Sequence, residues 1–224
     1  MTNISISEYE KEYEEMRMIL RGLAHEMGNA LTIMGHSICV FGRTESIKES
    51  ENWIYLNEDY KYICRLFNNL TEYNHSREVK LQRLDLDELL KKIKNGYPDE
   101  GFDINYWGIE KSYILGDDIK LKQVFMNIIN NAIDAIGAKS NGKIDIKVKE
   151  KNDSYYVIIA DNGCGIDKDS ITKIFDPLYT KGKENGTGFG LYICKRIIEG
   201  HGGSITVESE KGIGTKFVVK IKKA

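Results

Sequence analysis

Proline is nearly missing from this chain of 224 residues: there are two, and neither precedes Pro98. Glycine is as uneven, with 4 of 21 before residue 81. The first third therefore has few helix breakers, and the remainder holds most of the turn formers. No stretch approaches the ~20 consecutive apolar residues that span a bilayer, so no transmembrane segment is expected. Met1–Glu10 lacks a basic region leading into an apolar core, so it is not read as a signal peptide. The four cysteines, Cys39, Cys64, Cys164 and Cys194, show neither C-x-x-C metal spacing nor a disulfide framework. A reduced, cytoplasmic protein is expected. Neither sign of charge dominates: residues 1–80 carry 9 basic and 13 acidic side chains, and residues 81–224 carry 23 and 21. Neither part is basic enough to propose nucleic acid as a partner.

What is present has two grammars. Over residues 1–80, Tyr9, Tyr13, Met16, Leu20, Leu23, Met27, Leu31, Met34, Ile38 and Phe41 recur in steps of mostly 3 and 4. That is the seam of a long helix. A second helix follows from Trp53, Leu56, Tyr60, Ile63, Leu66, Leu70 and Tyr73, after a polar turn over residues 43–50 that Ser50 is placed to cap. One helical hairpin cannot cover its own apolar stripe. Either two copies form a dimeric four-helix bundle through residues 1–80, or the hairpin packs on the rest of the chain.

Residues 81–224 read as a separate α+β domain, a sheet with helices on one face forming an α/β sandwich. Short strands are expected at Leu84–Leu86, Asp103–Trp107 and Ser112–Leu115, with Asp87 capping a helix over Glu88–Asn95. A strongly apolar helix covers Ile119–Ile136. Lys143–Lys149 and Tyr155–Ala160 alternate and form a hairpin through residues 151–153, and Ser204–Val207 and Lys216–Ile221 form another turning at residues 211–214.

Two segments of this half point to a nucleotide. Asp161-Asn-Gly-Cys-Gly-Ile166 follows an apolar strand, and Gly186-Thr-Gly-Phe-Gly-Leu191 opens a helix. Glycines ahead of a helix let backbone N–H groups approach phosphates, and the helix N-terminus adds partial positive charge. On the apolar helix, Asn127, Asn131 and Asp134 share a face at i, i+4 and i+7. Two amides and a carboxylate suit a hydrated Mg2+, which takes its remaining ligands from phosphate; a plain solvated helix face has the same pattern. Asp161 is placed to accept a hydrogen bond from an adenine amino group, with Gly163 and Gly165 letting the base lie against backbone; an ordinary Asn-Gly turn is the alternative. Between the two segments, residues 174–186 are polar after Tyr179 and suit a lid, with Lys181 or Lys183 supplying positive charge.

In their order, the Asn127/Asn131 helix, the Asp161–Gly165 turn, Phe175 and the Gly186–Leu191 segment resemble the N, G1, F and G2 boxes of the histidine-kinase ATP-binding domain. That domain belongs to the GHKL ATPase superfamily and has the Bergerat-type fold. The resemblance covers residues 81–224. It implies that Asn127 and Asn131 bind Mg2+, and that ATP is held by Asn127, Asn131, Asp134, Asp161, Gly163, Gly165, Phe175, Thr180, Lys181, Gly186, Thr187, Gly188 and Gly190. The wording Asn131-Ala-Ile-Asp-Ala135 with Phe175-Asp-Pro-Leu-Tyr-Thr-Lys181 is similar to the nitrogen-regulator-type subgroup.

A histidine on the first helix should then accept the phosphoryl group. His25, in Leu23-Ala-His-Glu-Met-Gly-Asn-Ala-Leu-Thr32, resembles the family's H box, His-Glu-x-x-Asn. In that reading His25 attacks the γ-phosphate of ATP, and Glu26 accepts the imidazole proton. The resemblance gives Asn29 the task of orienting a water that hydrolyses a partner's aspartyl-phosphate. His36 lacks an adjacent carboxylate, and His75 and His201 are read as structural or surface residues. Gly28 and Ala30 depart from the usual basic residue and proline. Gly22, Gly28 and Gly35 each cost a helix roughly 1 kcal/mol relative to Ala. They are read here as softness that replaces a proline bend.

The expectation is an ATP-dependent protein-histidine kinase acting on a response-regulator receiver domain. Its input comes from a separate sensor protein or from further chain. A phosphorelay module with an inactive ATP domain is the alternative. A serine kinase of the anti-sigma type lacks the hairpin. A gyrase-like clamp carries a Glu on the N-box helix, and residues 120–136 contain none.

Overall fold

Three glycines and three aromatic rings set how the first two helices meet. The computed structural model describes residues 22, 27–44, 47, 49–75, 79–98, 101–181 and 187–224. The chain divides into two units, Met1–His75 and Ser76–Ala224. In the first, α1 (residues 27–41) and α2 (Glu51–His75) form a hairpin. Ser50 caps α2 as expected, its hydroxyl accepting from Trp53 N–H at 3.2 Å. A side chain at Gly28 would meet the edge of Phe67, one at Gly35 would meet Tyr60, and one at Gly42 would meet Trp53. Both sets repeat every seven residues and run in opposite directions, so each rung seats one ring on one bare stretch of helix. The Tyr60 hydroxyl, passing Gly35, donates to the Leu31 carbonyl at 2.8 Å. The glycines of α1 thus make room for rings, a packing role that the sequence reading of Gly28 and Gly35 as points of softness did not include. Met27, Met34 and Phe41 of the expected seam stay exposed, as do Leu56 and Ile63 of α2.

In the second unit, β1 (Gln82–Asp85) pairs antiparallel with β3 (Tyr113–Gly116), flanking α3 (Leu86–Lys94) and β2 (Phe102–Trp107). Then come α4 (Asp118–Ile136), β4 (Gly142–Lys151), β5 (Ser154–Asp161), the short α5 (Lys168–Ile171), α6 (Gly190–Gly200), β6 (Ser204–Glu210) and β7 (Gly214–Lys222). The main sheet has the order β2-β4-β5-β7-β6, with β2 parallel to β4 and the rest antiparallel. Alternation decides its faces. Ile144, Ile146, Val157, Ile159 and Val219 are buried on the side that α4 and α6 cover, while Lys143 and Lys149 face outward. The expected α+β sandwich and both hairpins are present.

One cap differs from expectation. Asp85 caps α3, accepting from Asp87 N–H at 3.0 Å, so the helix starts two residues earlier than the sequence reading. Asp87 is instead buried. It accepts from the Tyr106 hydroxyl at 2.6 Å and pairs with Lys91 at 2.7 Å. Burial alone would raise its pKa; the Lys91 and Tyr106 contacts outweigh that and lower it.

α4 and α6 run antiparallel, and a buried histidine fixes their ends. His201 Nε2 accepts the Asp117 backbone N–H at 2.9 Å, and Asp117 caps α4. Nδ1 lies 2.7 Å from the Ile197 carbonyl and must donate to it. Only the neutral Nδ1–H tautomer makes both bonds. The structural reading of His201 therefore holds.

Candidate functional site

The turn that follows β5 meets the C-terminal end of α4 at Ala135, and the start of α6 meets the middle of α4 at Asn127. Asp161 is the last residue of β5. Its Oδ1 accepts Gly163 N–H at 2.8 Å and Thr215 N–H at 3.3 Å. Oδ2 receives no hydrogen bond among the described residues. Burial raises the Asp161 pKa, with the two backbone donors opposing. The turn beyond it is pinned on three sides. Cys164 N–H bonds the Ala135 carbonyl at 2.9 Å, Gly212 N–H bonds the Cys164 carbonyl at 2.7 Å, and Ile166 N–H bonds Ser209 Oγ at 2.8 Å.

The glycines here have a reason the sequence did not reveal. A Cβ on Gly163 would stand 2.6 Å from the Ala135 carbonyl carbon, and one on Gly165, at φ +67°, would strike the Glu210 backbone. The side a Cβ would occupy is filled by chain, so both glycines let the turn close on the protein itself.

On α4, Asn127 and Asn131 are half-buried and Asp134 is exposed. Asn127 meets α6: Nδ2 donates to Cys194 Sγ at 3.3 Å, and a Cβ on Gly190 would stand 2.6 Å from Nδ2 and 2.9 Å from Oδ1. The other helices of eight or more residues in this unit, α3 and α4, are capped by aspartates and have acidic first turns. α6 begins after Phe189 with no side-chain cap and no acid in its first turn. Its leading N–H groups and partial positive charge are available to an anion.

Between the two glycine segments, Phe175 packs edge-on against Phe217 at 6.5 Å, with the Lys195 ammonium 6.0 Å above its ring. Gly188, at φ +70°, lies against the Leu178 backbone of the stretch between the two segments. Thr180 is exposed and Thr187 half-buried. Lys181, expected as a source of positive charge, is held by Asp167 at 2.8 Å. That ammonium keeps the Asp167 carboxyl well below the usual carboxylate range. His25, Glu26, Lys183 and Gly186 lie outside the described residues. Asn29 is exposed on α1, in the other unit.

Sequence reasoning missed Cys194, Thr215 and Asp167. Cys194 follows Gly190 by one helical turn on α6, which was a usable signal. Thr215 reaches Asp161 only through strand register, which carried none. Among the described residues no cluster of three His, Cys, Asp or Glu is placed to hold a metal. A cation at α4 would therefore rest on the amide oxygens of Asn127 and Asn131, with waters and phosphate oxygens completing the all-oxygen shell that Mg2+ takes. Asn127 Oδ1 receives no hydrogen bond among the described residues and lies beside the uncapped helix start, so the donor set fits that ion.

Comparison with known proteins gives the same address. The family described as histidine kinase-, DNA gyrase B- and HSP90-like ATPase matches residues 116–224. The signal transduction histidine-protein kinase AtoS of Escherichia coli (strain K12) is 35% identical over 208 residues, which is 90% of this chain and 34% of AtoS. The chain thus spans about a third of that relative. The catalytic domain of histidine kinase ThkA, in a nucleotide-free crystal form, is 31% identical with a TM-score of 0.57, covering 64% of this chain and 96% of that domain. ThkA in complex with the response regulator protein TrrA is 25% identical with a TM-score of 0.66, covering all of this chain and 68% of the kinase chain.

Proposed function

This chain belongs to the histidine kinase-, DNA gyrase B- and HSP90-like ATPase family, and we propose that it is the kinase core of a two-component signalling system. Residues 81–224 bind Mg2+–ATP, and residues 1–80 form the histidine-bearing hairpin. The carrying observation is the meeting of Asn127 with Gly190 at the uncapped start of α6, within the same fold as the open carboxylate oxygen of Asp161. Asp161 Oδ2 accepts from the adenine amino group. Asn127 and Asn131 present oxygen to the metal, with Asp134 beside them. Gly186, Thr187, Gly188 and Gly190 bring the α6 N-terminus to the phosphates, while Thr180 and Lys181 approach from the other side once Lys181 leaves Asp167.

His25 attacks the γ-phosphorus, the bond to the ADP oxygen breaks, and Glu26 takes the imidazole proton. Catalysis of this kind is mostly positioning and charge neutralisation. The phosphoryl group then passes to an aspartate of a response-regulator receiver domain, the class of partner found with ThkA. Asn29 serves the reverse, hydrolytic reaction. The exposed Met27, Met34 and Phe41 on α1, with Leu56 and Ile63 on α2, support a homodimer through residues 1–80, because solvent-exposed seam positions gain most from a second copy. A dependence on ATP, together with free cysteines, supports a cytoplasmic site for this chemistry, under a stimulus relayed by further chain or a separate sensor. The motif wording favours a nitrogen-regulator-like kinase.

The test is incubation with γ-labelled ATP and Mg2+. Label should be acid-labile and base-stable, and absent from His25→Gln. Label that persists in that variant overturns the assignment.

A further inference from the structure

We infer that Cys194 is a positioning residue for the metal-bound nucleotide, its sulfur holding the Asn127 amide with Oδ1 free for the cation. This rests on the reading of Asn127 as a metal ligand. An asparagine can turn either end of its amide to a given neighbour, and only the oxygen end binds a hard cation. Some contact must therefore decide the orientation.

Cys194 makes that decision. It is buried on α6, one turn past Gly190. Its S–H points at the Val124 carbonyl of α4, 3.8 Å away. With its proton used there, the sulfur can only accept from Asn127, and Nδ2 donates to it at 3.3 Å. The flipped amide would set Oδ1 against a lone-pair-bearing sulfur and turn the NH2 group toward the metal.

Gly190 completes the constraint. Any side chain there would collide with both amide atoms. The amide is thus confined between sulfur and helix start, and Oδ1 has no donor of its own among the described residues. The His201–Asp117 bond at the far end of the same two helices keeps α6 in register with α4.

The experiment measures the affinity of the whole chain for a non-hydrolysable ATP analogue, once with excess Mg2+ and once with chelator. The ratio of the two is the metal enhancement. Cys194→Ala and Cys194→Val remove the acceptor, the second with its volume largely retained. Both should lower the enhancement roughly five- to tenfold while leaving the chelator affinity unchanged. Cys194→Ser, which donates and accepts in the same directions, should retain most of it. A purely structural cysteine would shift both affinities together, and that result overturns the inference. So does wild-type enhancement in Cys194→Ala alongside its loss in Asn127→Ala. If Asn127→Ala itself keeps the full enhancement, the metal-ligand reading fails and the positioning role falls with it.

Discussion

Replacing Asp161 by Asn should weaken nucleotide binding and leave the empty protein no less stable. Oδ1 of Asp161 already receives two backbone donors, Gly163 at 2.8 Å and Thr215 at 3.3 Å. In Asp161→Asn the amide oxygen must stay there, because an NH2 group would face two N–H groups. The NH2 is then turned to where Oδ2 stood, and the adenine amino group meets a donor. A hydrogen bond to a charged acceptor contributes about 1.5–3 kcal/mol, so affinity should fall roughly 10- to 150-fold. Stability moves the other way. Burial raises the Asp161 pKa, so the fold prefers the proton more than the unfolded chain does. The stability that preference adds is present in acid and is lost as pH rises from the ordinary carboxylate value through the raised one. At neutral pH the carboxylate is a cost that Asn removes. Calorimetric titration with a non-hydrolysable ATP analogue reads the first effect, and urea unfolding of the nucleotide-free protein at several pH values reads the second. An affinity within threefold of wild type, or a loss of stability greater than about 1 kcal/mol, would refute the reasoning.

His201→Phe leaves the Asp117 N–H buried without an acceptor and should cost about 1–3 kcal/mol in urea unfolding; a change under about 0.5 kcal/mol would show that the bond is dispensable. Tyr106→Phe removes a hydrogen bond that lowers the Asp87 pKa. The stability from that lowered carboxyl is present above its ordinary pKa and is lost as pH falls toward the native one. Acid unfolding should accordingly be less steep in the variant, and an identical acid limb counts against it. Gly35→Ala should destabilise by about 1–3 kcal/mol, because the new methyl overlaps the Tyr60 ring, although an unobstructed mid-helix Gly→Ala change stabilises by about 1 kcal/mol. A rise in melting temperature would refute the rung geometry.

Much of this was legible in the residues. Period-two alternation placed β4, β5 and β7 to within two residues at each end, because one face of that sheet is covered and the other is wet. Asp161 and Asn127 were legible because strand ends and helix faces follow from spacing. What stayed hidden depends on distant approach. The cap of α3 passed from Asp87 to Asp85 because Tyr106, on a strand 19 residues later, claims the Asp87 carboxylate. Thr215 joins Asp161 only through the pairing of β5 with β7. The ring-seating role of Gly28 and Gly35 stayed hidden for the same reason, since helical spacing says nothing about the ring on the facing helix. The seven-residue repeats at Gly28, Gly35 and Gly42 and at Trp53, Tyr60 and Phe67 were nonetheless there to be matched.

That matching limits how the two helices of the hairpin can move against each other. Successive rungs stand about 10.5 Å apart, one heptad of helical rise. If α2 advanced by a single residue, all three rings would leave their bare seats and ride onto side chains together. Telescoping of one helix along the other is therefore blocked, while tilting or swivelling the pair as one stiff crank keeps every ring in place.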